Sequence, residues 1–418
     1  MGNGKSKNDG YGGKVLKPRP EPTPYLGVPI SYHFVNIDAS IQFNACFARI
    51  RPGVNINTLD VNSYIPMLNQ LYQQGYRMLS FLSKPGTIQT HGFASFDATS
   101  TIRYQAVLSP LSDDSEKGKY QIRSEKSLLE SRSFFTGSGL MLGRDMSSIS
   151  NTDHIYQTIS NMTKAGGRFV CLEITGFSPF AMGSGMGPGC GMMGAGHNND
   201  HMRQMMMFGY NPQITVGVDL FFEIPLEPHP EIYNYSIVPL PVQSRYIAKI
   251  PFGEWIVSCD WPGLMQQYLG QGWRLVEIFL DQSQQSSAQG FGFGANINVV
   301  MNSIWVFEKP LQKMNDPTPI YEGTMLEFPV TMSHNIHAMG FGGVSTTVAA
   351  NWEPTIMDMG KQGWELVRIL QTPKTEISGM SDVRMTVWMF FQRKIVSSQS
   401  SIPPPSYDDV VMGKTQAP

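Results

Sequence analysis

The sequence predicts an α+β fold: four tandem β-α-β-β units arranged as two duplicated halves, with antiparallel sheets that carry helices on one face. Three observations predict it. First, a capping residue, an amphipathic stretch, a glycine and an apolar strand recur in that order over 63–82, 153–174, 260–280 and 351–370. Second, the closing glycines are evenly set: Gly75 to Gly166 and Gly272 to Gly363 are both 91 residues, and Gly75 to Gly272 and Gly166 to Gly363 are both 197. Third, each unit has a later strand rich in aromatic and β-branched residues, at 102–107, 214–223, 299–308 and 383–392.

Each helix is expected to open on a side chain that caps its free amides: Ser63, Asp153, Asp260 or Asn351. Pro66, Pro262 and Pro354 follow within three residues, where first-turn amides have no intrahelical acceptor and proline loses nothing. Gly75, Gly166, Gly272 and Gly363 then close the helices, because glycine enters the left-handed conformation freely. Tyr76, Gly167, Trp273 and Trp364 come next, and the two tryptophans are expected to pack helix onto sheet. Apolar strands follow at 78–82, 169–172, 275–278 and 366–369, and another precedes each helix, as at 245–250. The halves are 30–228 and 229–396, flanked by a basic tail at 1–29 and a proline-rich tail at 397–418.

The chain has 418 residues, enough for several cores, and only 15% are charged against roughly 25% in ordinary soluble domains. A formal net charge of −2 gives no reason to expect a nucleic-acid partner. Cys46, Cys171, Cys190 and Cys259 are far apart and form no CxxC pair, so neither a disulfide framework nor a structural zinc is expected. No apolar run reaches 18 residues and the N-terminus has no apolar signal core, so membrane contact is expected to come from lipid, charge or an interfacial surface.

Both tails carry motifs. Met1-Gly2-Asn3-Gly4-Lys5-Ser6 fits the N-myristoylation pattern, with Gly2 as acceptor and Ser6 four residues on. One acyl chain holds a bilayer only marginally, and Lys5, Lys7, Lys14, Lys17 and Arg19 are the candidate second signal toward an anionic inner leaflet. At the other end Pro404-Pro405-Ser406-Tyr407 is a PPxY sequence, which WW domains accept in the polyproline II conformation. Tyr407 through Val410 also fits a tyrosine-based sorting signal.

One unit is longer than its counterpart. Gly166 to Phe222 is 56 residues and Gly363 to Phe391 only 28; the excess, about 176–210, mixes glycine with methionine and is expected to be a mobile loop. Cys190, His197, His201 and the methionines leave Cu(I) binding open, and lipid or partner contact as well. Gly189 to Gly194 matches GxGxxG but does not directly follow a strand and lacks the P-loop Lys-Ser pair. Phe291 and Phe293 sit in a glycine-rich loop of the third unit. His334 and His337 are spaced as a weak metal pair, Cys171 lies in an apolar strand, and no hydrolase, kinase or metalloprotease motif occurs, so neither an enzyme, a cofactor nor a metal is expected.

Several residues carry a resemblance. The Met-Gly start, Tyr64-Ile65-Pro66-Met67-Leu68-Asn69, Tyr72-Gln73-Gln74-Gly75-Tyr76, Gly272-Trp273, Gly363-Trp364 and Phe390-Phe391-Gln392-Arg393 resemble the raftlin family over about 1–396. The resemblance implies an acylated, lipid-raft-associated scaffold on the cytoplasmic face of the plasma membrane or endosomes, supporting receptor signalling and uptake, with Gly2 as the acylated residue. The family pattern follows that glycine with a palmitoylated cysteine; here Asn3 stands there. The expected function is therefore a membrane-anchored scaffold whose PPxY tail recruits a WW-domain partner such as a ubiquitin ligase or trafficking adaptor. The alternative is a soluble ligand-binding protein or enzyme with a pocket between the halves.

Overall fold

The structure is a computed structural model, and it describes residues 25–45, 57–58, 61–84, 88–91, 96–136, 145–177, 213–227, 231–247, 254–289, 296–336, 344–378 and 382–396. These form an α+β fold in which antiparallel strands predominate.

Four stretches of chain follow one another, each with a helix between strands. The first holds β1 (His33–Ala45), β2 (Asn57–Thr58), α1 (Val61–Gln73), β3 (Tyr76–Lys84), β4 (Ile88–His91) and β5 (Phe96–Pro110). The second holds β6 (Tyr120–Thr136), β7 (Asp145–Asn151), α2 (Asp153–Lys164), β8 (Arg168–Phe177) and β9 (Gln213–Pro225). The third holds β10 (Tyr233–Ile247), β11 (Glu254–Ser258), α3 (Trp261–Leu269), β12 (Arg274–Gln289) and β13 (Asn296–Pro310). The fourth holds β14 (Tyr321–Ile336), β15 (Val344–Ala349), α4 (Glu353–Lys361), β16 (Glu365–Ser378) and β17 (Asp382–Lys394). Two strands, not the one expected, precede each helix.

The helix ends obey the glycine rule and the helix starts only partly obey the cap rule. Gly75, Gly166, Gly272 and Gly363 all have positive φ, at 92°, 92°, 79° and 77°. Only Asp260 caps as expected, its carboxylate accepting from the Gly263 N–H at 3.3 Å. α1 starts at Val61, so Ser63 lies inside its first turn and Pro66 inside the helix. Asp153 is the first residue of α2, and its own N–H donates to Asn151 Oδ1. Asn351 precedes Trp352, whose buried side chain occupies the cap position of α4 because the core, not the free amides, claims it. Asp260→Ala should therefore lower stability by about 1 kcal/mol, read as a shift in urea midpoint at unchanged slope; no shift would show that the cap contributes nothing.

The sheets do not respect the boundary near residue 228. One has the order β1-β5-β4-β15-β14-β17-β16, with β3 also on β5, and so joins the first stretch to the fourth. The other, β11-β10-β13-β12-β7-β6-β9-β8-β2, joins the second to the third and takes β2 from the first. Four apolar clusters fill the seams in turn. One packs α1 and Phe81 against Ile122 and Phe221. The next packs α2 against Val276 and Ile304, and a third packs Leu264 and Leu269 of α3 against Met325 and Phe390. The last packs Ile356 and Trp364 against Leu82, Val107, Tyr32 and Phe34. First meets second, second third, third fourth, and fourth first, so the four stretches close into a ring. Trp364 packs α4 onto its sheet as expected, and Trp273 sits edge-on to Tyr268 of α3 at 5.9 Å.

Candidate functional site

The ring closes on its axis around a buried polar cluster. β3, β8, β12 and β16 each break register one or two residues after they begin, between Met78 and Ser80, Phe169 and Cys171, Leu275 and Glu277, and Leu366 and Arg368. The residue just past each bulge is Ser80, Cys171, Glu277 or Arg368, and all four are buried. A bulge re-aims the side chain beside it. Arg368 Nη1 donates to the carbonyls of Phe81 at 3.2 Å and Leu172 at 2.9 Å, Nη2 donates to Glu173 Oε2 at 2.8 Å, and Nε lies 3.5 Å from Glu277 Oε1. One guanidinium of the fourth stretch thus binds the other three.

The cluster holds two carboxylates against one cation. Burial pushes Glu277 up to about 7, against the pull of Arg368 and of the Leu172 and Ile278 N–H groups that donate to it at 2.8 and 2.7 Å. Burial also raises Glu173, with Arg368 pulling the other way. The Cys171 thiol is driven far above its ordinary value, first by burial and then by Glu277, so it stays protonated and is a poor nucleophile. The chemistry this arrangement supports is holding a proton near neutral pH and locking the ring.

A second tier stitches the seams nearer the helix ends. Arg77 reaches Glu223 at 3.5 Å, Arg168 reaches Glu308 at 2.5 Å, and Arg274 reaches Glu365 at 2.5 Å, each crossing to the next stretch. Burial alone would raise Glu308, but Arg168 and Arg274 hold it below the usual carboxylate range. The backbone N–H groups of Met78, Phe169, Leu275 and Leu366, beside the bulges, donate to Tyr72 Oη, Tyr235 Oη, Gln392 Oε1 and Tyr32 Oη at 3.1, 3.0, 3.0 and 2.8 Å. A side-chain acceptor at each of the four answers the demand that buried amides be paired.

The last seam is closed by the segment ahead of β1. The Ile30 N–H donates to Gly360 O at 2.8 Å, and Tyr32 Oη donates to Trp364 O at 2.6 Å. Tyr25 lies over Gly363, where a Cβ would stand 2.1 Å from its ring, and its hydroxyl donates to Lys394 O at 3.1 Å. Arg393 stacks on Trp364 at 4.3 Å and on Tyr25 at 4.9 Å. The first and last described stretches of chain therefore meet at one point on the rim.

The sequence-expected sites Gly2, Lys5, Lys7, Lys14, Lys17, Arg19, Pro404, Pro405, Tyr407 and Val410 all lie outside the described residues, as do Cys190, His197, His201, His337 and nearly all of the Gly/Met segment. Among the described residues no group of three or more His, Cys, Asp or Glu is placed to hold a metal ion. None of the described helices is long and apolar enough to cross a membrane. A small cleft between the second and third stretches is lined by Arg168, Glu223, Glu231 and Tyr233, with Arg168 stacked on Tyr233 at 4.5 Å. It spans the boundary between the expected halves; Arg168 pairs with Glu223 at 3.9 Å and with Glu308 beside the cleft, and Tyr233 Oη donates to Glu231 Oε2 at 2.7 Å.

The fold and these clusters define a class: a closed α+β ring locked by buried ion pairs. Compared with known proteins, the chain matches no family model, no curated protein and no solved structure. Sequence reasoning missed the axis cluster, although a signal was there. Glu277 and Arg368 stand at the same place in strands that are otherwise apolar, and opposite charges at matching positions of two strands point to a contact.

Proposed function

We propose that the protein is a membrane-tethered scaffold: an acyl chain on Gly2 and the basic residues Lys5, Lys7, Lys14, Lys17 and Arg19 hold it to an anionic cytoplasmic leaflet, and its PPxY tail recruits a WW-domain partner. We also infer that the four stretches are copies of one unit, duplicated as a pair, from the even spacing of Gly75, Gly166, Gly272 and Gly363. The observation that carries the scaffold proposal is the Tyr25–Lys394 contact. Both tails start from that one point on the rim. Pro404 is ten residues beyond Lys394, so it lies at most about 35 Å from it along an extended chain. A partner bound there is tethered to the same point on the rim from which the N-terminal segment also leaves the fold.

Two outcomes test this. Gly2→Ala should move the protein from the floating membrane fraction to the soluble one in a flotation gradient, since the basic tail alone adds only about 1 kcal/mol per cation; unchanged flotation would defeat the acyl anchor. Tyr407→Ala should abolish capture by immobilised WW domains while leaving flotation intact, and persistent capture would reject the PPxY assignment.

A further inference from the structure

The described chain enters the ring at Tyr25 and leaves it at Val396, and between those points it crosses three of the four seams, at 111–119, 226–232 and 311–320. Three stretches tie the residue ahead of their first strand to the end of their own last strand. Leu226, Leu311 and Ile395, one past β9, β13 and β17, donate their N–H groups to the carbonyls of Lys119, Ile232 and Ile320, one ahead of β6, β10 and β14, at 2.8, 2.8 and 2.9 Å. The first stretch departs from this rule. Leu111, one past β5, donates to Gly75 O at 2.8 Å, and the segment ahead of β1 crosses to the fourth stretch, where the Ile30 N–H donates to Gly360 O. Residues 25–31 thus stand where a linker stands at the other seams. At Gly272 the linker's Thr318 O covers the glycine, 2.6 Å from where a Cβ would be; at Gly363 the Tyr25 ring takes that place.

This strap is held less firmly than the residue that follows it. Tyr32 is pinned: its hydroxyl donates to Trp364 O and accepts from the Leu366 N–H, and its ring packs in the cluster around Trp352 and Ile356. Residues 25–31 are held by the Ile30 N–H on Gly360 O, by Tyr25 Oη on Lys394 O and by the Arg393 stack on the Tyr25 ring. Leu26 and Val28 lie 65% and 74% exposed, so the strap buries little apolar surface. Gly27 leaves room for Tyr25 to sit on the rim, since a Cβ there would stand 2.3 Å from the phenol. A segment with few buried contacts opens locally while the rest of the fold stays intact. The seam does not depend on the strap: Lys84 pairs with Glu353, Trp352 Nε1 donates to Gln105 Oε1, and Arg368 donates to Phe81 O.

We propose that residues 25–31 are a latch hinged at Tyr32, which lifts from the rim and returns while the ring stays closed. Seated, the latch joins the starts of both tails through the Tyr25–Lys394 contact. Lifted, it lets Tyr25 move up to about 25 Å from Tyr32 on an extended chain, so the two tails part. Its seat keeps its shape meanwhile. Arg393 still stacks on Trp364 at 4.3 Å, its Nε donates to Glu322 Oε1 and its Nη1 donates to Gln362 O, so the strap finds the same partners when it returns. The consequence for an anchor and a recruited partner rests on the tethered scaffold proposed above; the latch does not.

The test is hydrogen exchange of the full-length protein, made without an acyl chain and read residue by residue by fragmentation mass spectrometry. The Ile30 amide, on the latch, should be protected at least tenfold less than the Leu366 amide, which the hinge residue Tyr32 covers. Tyr25→Ala removes the Oη bond and the Arg393 stack together and should speed exchange at Ile30 at least fivefold. The Leu226 and Leu311 amides, which tie the other stretches, and the urea midpoint should stay as in the parent. Gly27→Val sets its side chain against Tyr25 and leaves the seat itself unaltered, and it should speed Ile30 by a similar factor. Equal protection of Ile30 and Leu366 in the parent, or no acceleration in either variant, overturns the latch. Acceleration at Leu226 and Leu311 together with Ile30, with a lower urea midpoint, overturns it as well, because the strap would then open only with the whole ring. A terminus without acyl chain in native cells defeats the anchor instead and leaves the exchange result standing.

Discussion

Arg368→Met should destabilise the protein by about 3–5 kcal/mol, because removing one partner of a buried ion network leaves the others charged and dry. The side chain it replaces donates to Phe81 O, Leu172 O and Glu173 and faces Glu277. Methionine replaces only the aliphatic stem and supplies none of the donors, so two carbonyls and two carboxylates lose their cation. The loss should appear as a lower urea midpoint. It should also appear as faster amide exchange in β3, β8 and β12, since the same group joins all three to β16. The variant Glu173→Gln/Glu277→Gln/Arg368→Met keeps oxygen acceptors at both glutamate positions but removes their charge. It should recover at least half of the loss. If Arg368→Met falls within 1 kcal/mol of the parent, or if the triple variant is no better than the single one, Arg368 is not the element that locks the ring.

That expectation also explains which parts of the fold could be seen in the sequence. The four glycines, the strand after each and the later aromatic strand are local features, set by backbone conformation and by hydrophobic period, and a single stretch of sequence displays them. The α+β class followed from them. The strand added ahead of each helix was missed because β7 and β15, at 145–151 and 344–349, are short and rich in Ser and Thr, with little apolar signal. The caps were overassigned because Ser63 and Asn351 have the right chemistry, while the helix start is decided by packing: Trp352 is drawn into the core, where its Nε1 donates to Gln105 Oε1 at 2.8 Å. Which stretches share a sheet was not visible at all. The ladders that tie first to fourth and second to third join residues more than 100 positions apart, and no local pattern records that choice.

The axis cluster is therefore tertiary information, and its second consequence is a dependence on pH that runs against the usual direction for a carboxylate. Glu277 is held at about 7 in the fold by burial, against an ordinary value of 4.5. Between those values the folded protein keeps a proton that the unfolded chain has released. Stability from this group is fully present below pH 4.5 and is lost as pH rises through 7, a change on the order of 3 kcal/mol. Glu173, raised in the same direction, adds to the trend. Glu308, held low by Arg168 and Arg274, opposes it, but only below the ordinary carboxylate value, where its own stabilisation is lost as pH falls. The windows separate, so urea midpoints should decline steadily from pH 5 to pH 8. Glu277→Gln has nothing to titrate. It should shift the whole curve by a constant amount, because one amide N–H₂ must now face the N–H of Leu172 or Ile278, and it should flatten the slope between pH 5 and 8. A slope unchanged by the substitution would mean that the proton resides elsewhere and that Glu277 is ionised throughout.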